Sequence, residues 1–152
     1  MVPIKNLTPK EIISDALRSR LQQSGIGQKL ADVLEKRSLN ILFQPVVDIR
    51  AQRIFGYEAL ARGPADSELH QPLALFQAAC DYDCLFEIDW LARSKAIESF
   101  FKQSTDQSRL FLNVTINSLM ARGHQTGMTL DFLAEMGVPV DRVVIELTEH
   151  HP

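Results

Sequence analysis

The sequence predicts an α/β fold with a mostly parallel sheet whose first two strands pair antiparallel. Three observations carry this. Strand-like runs and helical stripes follow one another in the order α, α, β, β, α, α, β, α, β, and strands alternating with helices imply a parallel α/β architecture. The first two strand-like runs are separated only by Arg50 to Arg53. A link that short permits a hairpin and forbids a parallel crossover. The chain has 152 residues, 45% of them hydrophobic and 23% charged, which matches an ordinary globular protein with one real core.

The elements follow in order. Thr8-Pro9-Lys10-Glu11 is a capping box with Pro at the first helical position. Ile12, Ile13, Ala16, Leu17 and Leu21 then make one stripe at helical spacing, and Ser24-Gly25 ends that helix. A second short helix carries Leu30, Val33 and Leu34 inward. Residues 1–38 thus read as a helical leader that packs against or links into the main domain, with a signalling or dimerising helix as the alternative. At Ile41 the period changes to that of a strand, Ile41–Ile49, followed by a second, Ile54–Arg62, which Gly63-Pro64 ends. Leu73, Leu75, Phe76, Ala79 and Cys80 form a helical stripe, and Phe86 to Phe101 another. Arg109–Thr115 is a third strand, Thr129–Met136 a short helix, and Val143–Glu149 a fourth strand.

Composition narrows the function. A net charge of −3 gives no support for polymeric DNA or RNA binding, where a basic patch is expected; a small anionic ligand stays open. The N-terminus lacks the apolar core of a signal peptide, and no apolar run is long enough to span a bilayer. The cytoplasm is the expected compartment, with no membrane contact by this segment, although a longer parent could still be membrane-anchored. Cys80 and Cys84 lie four apart in a helical pattern and read as reduced core thiols.

Polar residues interrupt three apolar strands. Glu58 lies within Phe55–Ala61, Asn113 within Leu110–Val114 and Glu146 within Val143–Leu147. A buried carboxylate is costly unless it is paired or binds a metal. Three oxygen donors, each late in its strand, suit a hard divalent cation such as Mg²⁺ or Mn²⁺. The alternative for each is a solvent-facing position on a half-exposed strand. Period-two alternation puts Glu58, Leu60 and Arg62 on one face. Arg62 could there approach an anion held by a metal at Glu58, or be an ordinary strand-end surface residue.

These residues also carry a family resemblance. Phe43-Gln44-Pro45-Val46-Val47-Asp48, followed by Gly56-Tyr57-Glu58-Ala59-Leu60-Ala61-Arg62-Gly63, resembles the opening of the EAL domain. Asn113-Val114-Thr115 resembles its Asn-x-Ser element, with Thr for the usual Ser, and Glu146-Leu147-Thr148-Glu149 its Glu-x-Thr-Glu element. The four motifs stand in the family's order from about Asn40 onward. The resemblance implies part of a modified TIM-type (β/α)₈ barrel with an antiparallel first strand, residues 39–152 being the N-terminal half, about four of eight strands. It implies hydrolysis of cyclic di-GMP to pGpG at a two-metal site, with Mg²⁺ or Mn²⁺ as cofactor. By resemblance Glu58, Asn113 and Glu146 are metal ligands and catalytic, Gln44, Leu60 and Arg62 contact substrate, and Glu149 positions a nearby loop.

A barrel of this type needs roughly 250 residues. The family's Asp-Asp-Phe-Gly motif and its later Lys and Glu have no counterpart here. The chain is therefore expected to be a piece of a longer parent or a naturally short protein, inactive alone, and inclined to self-associate or to pair with a C-terminal half. An EAL-like module that binds cyclic di-GMP or a protein partner without catalysis is the competing reading. The inward faces of Leu42, Val46, Leu60 and Leu112 are expected to look across to a missing wall. Asp89 reads as a helix cap or, by resemblance, as a residue near the substrate pocket. His70 and His124 read as solvated, and His150-His151 as a polar strand end, since neighbours on an extended chain point to opposite faces.

Overall fold

The computed structural model describes residues 13–104, 106–121 and 123–148. The capping box at residues 8–11, Ile12, Glu149 and the His150-His151 pair lie outside them. Helix α1, Asp15–Leu21, starts at Ser14, whose hydroxyl accepts from Leu17 N at 3.2 Å. Ser24, expected with Gly25 to close this helix, instead opens the next: its hydroxyl accepts from Gly27 N at 3.0 Å and caps α2, Gly25–Lys36. An N-cap hydroxyl satisfies one of the four unpaired amides at a helix start, so the serine belongs to the start of α2 and not to the end of α1. Ala16 also departs from expectation, lying exposed beside the buried Leu17.

Strands β1, Asn40–Asp48, and β2, Arg53–Arg62, form the antiparallel hairpin that the short link required. The Asp48 carboxylate accepts from Arg50 N and Ala51 N, both at 3.0 Å, an Asx-type turn that reverses the chain locally. Helices α3, Pro72–Asp81, and α4, Leu85–Gln103, follow. Strand β3, Arg109–Thr115, runs parallel to β2, and β4, Val143–Thr148, parallel to β3, giving the sheet order β1-β2-β3-β4. Between β3 and β4 lie α5, Ile116–Met120, which the sequence did not signal, and α6, Met128–Glu135.

Two apolar clusters hold these layers together. One joins Leu17 and Leu21 of α1 and Leu30 and Leu34 of α2 to Leu75 and Ala79 of α3 and Ile88 and Leu91 of α4. The other packs Ala96, Ile97 and Phe100 of α4 and Leu133 of α6 on Ala59, Leu110 and Leu112 of the sheet. Leu112 therefore faces the helices and is fully buried, not the open side of the sheet where a missing wall was expected to stand. Leu42, paired across the hairpin with Leu60, does face that open side and is 53% exposed. Leu73 also leaves its expected core stripe and is exposed.

Helices α1 and α2 share one core with α3 and α4. Leu21→Ala and Leu91→Ala should each cost about 2–5 kcal/mol, the usual range for emptying a buried leucine site. Both should lower the same cooperative urea transition followed by circular dichroism; an unchanged midpoint for Leu21→Ala would show α1 to be an appendage.

Candidate functional site

Alternation along β3 sorts its residues. Leu110, Leu112 and Val114 are buried against the helices, while Phe111, Asn113 and Thr115 turn to the opposite face. The neighbouring strands extend that second face. Glu58 lies opposite Phe111 and Gln44, and Glu146 lies in register with Asn113. Registered neighbours on adjacent strands sit about 4.8 Å apart, so the open face gathers Gln44, Glu58, Leu60, Arg62, Asn113 and Glu146.

Two of the three oxygen donors already touch. Asn113 Nδ2 donates to Glu58 Oε1 at 2.6 Å. That bond occupies the amide nitrogen and leaves the Asn113 amide oxygen to accept, which is the atom a hard cation takes. Glu146 comes to the same strip by register alone. Among the described residues no group of three or more His, Cys, Asp or Glu side chains is gathered tightly enough for a metal. The donor set is two carboxylates and an amide, and its chemistry fits a hard divalent cation in part.

A cavity of about 540 Å³ opens beside this strip. Glu58, Leu60 and Arg62 of β2 and Asn113 and Thr115 of β3 line one side, and Phe76 and Cys80 of α3 with Asp89, Ala92 and Arg93 of α4 the other. Gln44 and Glu146 are on the open sheet face but are not part of the cavity wall. Arg62 Nη1 donates to Ala61 O at 2.9 Å, which holds the half-buried guanidinium at the strand end. Just past it Gly63 runs against Leu69, where a Cβ would lie 2.0 Å from the carbonyl oxygen. Only glycine allows that approach. His70, expected to be solvated, closes this loop: it is half-buried and its Nδ1 lies 3.1 Å from Gly63 O. His124 is likewise half-buried, edge-on to Phe86.

Asp89 does not cap a helix. Cys84 holds the cap position of α4, and Asp89 lies one turn inside it, 3% exposed and ion-paired with Arg93. Burial pushes its carboxyl up from the usual carboxylate range, while the Arg93 guanidinium, Ser118 and the Thr115 backbone draw it back down. The sequence reading did not single out Arg93; an acid and a base four apart in an otherwise apolar helix were the available signal. Thr115, the third residue of Asn-Val-Thr, caps α5 by accepting from Ser118 N at 3.1 Å. A hydroxyl is what that position needs, and Thr supplies it as Ser would. Cys84 is fully buried, its thiol pushed up to about 12 by burial and by Glu87, and Cys80 is half-buried in the cavity wall.

Known proteins share both sequence and fold. The sequence model of the EAL domain matches residues 27–152. An uncharacterized EAL-domain containing protein of Bacillus subtilis, YkuI, is 29% identical over 112 residues, 72% of this chain and 27% of its own. The FimX EAL domain of Xanthomonas citri, solved in complex with c-diGMP, superposes with a TM-score of 0.67 at 23% identity, over 90% of this chain and 53% of that one. Klebsiella pneumoniae BlrP1, in a manganese and cyclic diGMP complex, gives a TM-score of 0.60 at 25% identity, over 74% of this chain and 28% of that one. This chain thus spans about a quarter of the curated relative and about half of the FimX chain. The antiparallel first hairpin, the parallel strands after it and the TIM-barrel-like likeness agree with the match over residues 27–152, and the chain belongs to the EAL domain family.

Proposed function

We propose that this chain supplies part of the active site of a cyclic di-GMP phosphodiesterase, which in a longer protein hydrolyses cyclic di-GMP to pGpG with Mg²⁺ or Mn²⁺. The observation that carries this reading is the Glu58–Asn113 bond, with Glu146 in register beside it. Ligands named for FimX and BlrP1 support it: c-diGMP for both, manganese for BlrP1. Residues 39–152 form the half-domain in this reading, with residues 1–38 as its leader.

Glu58, Asn113 and Glu146 would hold the metal through oxygen atoms. A metal held there would supply Lewis-acid chemistry, the polarisation of a phosphoryl oxygen and the activation of water. The chain's own residues then shape the site. Asn113 holds one Glu58 oxygen in place through its amide. Arg62, at the end of the same strand face, presents a planar donor array to a phosphate. Leu60 and Phe76 cover the cavity with apolar surface, and Gln44 offers an amide across the hairpin from Glu58. Glu149 would position a nearby loop.

The non-catalytic reading, a module that binds cyclic di-GMP or a protein, is favoured for this chain alone by the incomplete donor set. Three donors do not hold two metals in a reactive geometry. Self-association belongs to this reading too: β4 is an edge strand, with Ile145 43% and Leu147 62% exposed on its helix-side face, and apolar edges invite pairing.

Three outcomes are expected. In a longer protein carrying this chain, Glu58→Ala abolishes metal-dependent hydrolysis of cyclic di-GMP; wild-type turnover in that variant removes Glu58 from the metal site. Arg62→Ala weakens cyclic di-GMP binding by about 1.5–3 kcal/mol, the range for a hydrogen bond to a charged group. Calorimetry without divalent cations measures this, and unchanged affinity returns Arg62 to the surface. The 152-residue chain alone runs as an oligomer by light scattering and shows no turnover in Mn²⁺; a soluble monomer would contradict the edge argument.

A further inference from the structure

An aromatic side chain stands among the polar ones of the open face. Phe111 shares that face of β3 with Asn113 and lies in register with Glu58 of β2. On β2 the open-face neighbours of Glu58 are Gly56 and Leu60. Gly56 is buried, and the Phe111 ring lies over it: a Cβ at position 56 would be 2.7 Å from Phe111 Cε2 and 2.4 Å from Arg109 O. Only a residue without a Cβ lets the ring and the neighbouring strand come so close. The ring therefore leans from β3 across to β2 and occupies the place that a side chain at position 56 would take.

That place is held from the start of the strands. The Phe55 and Phe111 ring centroids are 6.0 Å apart, and the Arg109 guanidinium lies 4.7 Å from the Phe55 ring centroid. Both contacts are attractive. Arg109 Nε in turn donates to Asp141 O at 3.2 Å. The ring has little freedom to retreat. Glu58 is thus bounded unequally along its own face. Towards Gly56 it meets a ring that offers no hydrogen-bond donor. The next open-face residue of β3 in the other direction is Asn113, whose Nδ2 donates to Glu58 Oε1 at 2.6 Å. A half-buried carboxylate needs donors, and the ring closes the side where water would otherwise supply them.

We propose that Phe111 is a positioning residue for Glu58: with its ring seated on Gly56 it closes the side of the carboxylate away from Asn113, so that Glu58 turns to the amide. The metal-binding consequence rests on reading Glu58 and Asn113 as ligands; the positioning itself does not. The groups around a metal site govern solvent access and local dielectric as well as ligand orientation, and an apolar floor beside Glu58 does both.

The test reads the Glu58–Asn113 bond directly. In the ¹⁵N-labelled full chain, the two Nδ2 protons of Asn113, assigned by their loss in Asn113→Ala, should be widely separated because one is bonded to Glu58. Phe111→Ala should collapse that separation towards the free-amide value. Phe111→Met, unbranched and long enough to lie over Gly56, should keep most of it. Phe111→Leu, which stays apolar but reaches less far, should shift the amide partway, and decides the matter if Phe111→Ala does not fold. Phe43→Ala is the control. Phe43 packs on Phe100 on the helix side of the same sheet, ring centroids 5.6 Å apart, so its loss should lower the melting temperature and leave the Asn113 amide in place. Folded Phe111→Ala, or Phe111→Leu, with an unmoved amide overturns the proposal. So does Phe43→Ala if it moves the amide as far as Phe111→Ala does, since general loosening would then account for both. Mn²⁺ separates positioning from metal binding. Selective broadening at Asn113 and Glu58 in the wild-type chain, needing roughly tenfold more Mn²⁺ in Phe111→Ala, supports the metal reading. Its absence in the wild-type chain defeats that reading and leaves the amide result standing.

Discussion

The alternation of β3 is the constraint on which the open face depends. Leu110 and Leu112 are driven against α4 and α6, and Val114 is buried on the same face, because they are the apolar half of the strand. Burying a leucine side chain is worth about 1.5–3 kcal/mol, so three such residues fix the register against slippage. A slip of one residue would turn Asn113 into the core and expose all three. The position of Asn113 is thus set by its neighbours' burial and not by its own chemistry. The parallel ladder then carries that choice outward, to Glu58 on one side and Glu146 on the other.

The cavity has a separate origin. It lies where α3 and the first half of α4 meet the ends of β2 and β3, and those helices are held from behind by α1 and α2. Leu21 and Leu34 press on the same cluster as Ile88 and Leu91. Ser24 and Tyr82 hydrogen-bond across the gap, and Arg20 reaches Asp83 O at 2.9 Å. Helix α1 and the start of α2 therefore brace the α3–α4 turn, and through it the wall that carries Asp89.

Much of this was legible because it follows from period and loop length. The short link at Arg50–Arg53 requires the hairpin, and alternation by itself puts Glu58, Leu60 and Arg62 on one face. Leu112 was misread because a strand buried on its helix side and open on the other looks alike from either side; only the identity of the packed helix tells which face is which. Ser24 was misread because a serine at a helix break suits either the end of one helix or the start of the next. His70 and Asp89 were misread for a common reason. Their roles come from partners, Gly63 for His70 and Arg93 for Asp89, and one-dimensional context described them as loop and cap. Arg93 itself had a local signal at four-residue spacing but nothing to distinguish it from a surface pair.

The two levels of order differ in what they fix. Apolar burial sets which face each residue takes, a decision made by several kcal/mol and insensitive to any one polar contact. It does not set which way an amide is rotated, since both orientations of Asn113 fill the same volume. That choice falls to hydrogen bonds, each worth about 0.5–1.5 kcal/mol net, and here to one bond, Asn113 Nδ2 to Glu58 Oε1. A group chosen by so small a margin is easily turned unless the backbone beneath it is held. Just beyond Asn113 the Thr115 hydroxyl accepts from Ser118 N at 3.1 Å and caps α5, so the backbone that follows the amide is tied to the start of the next helix.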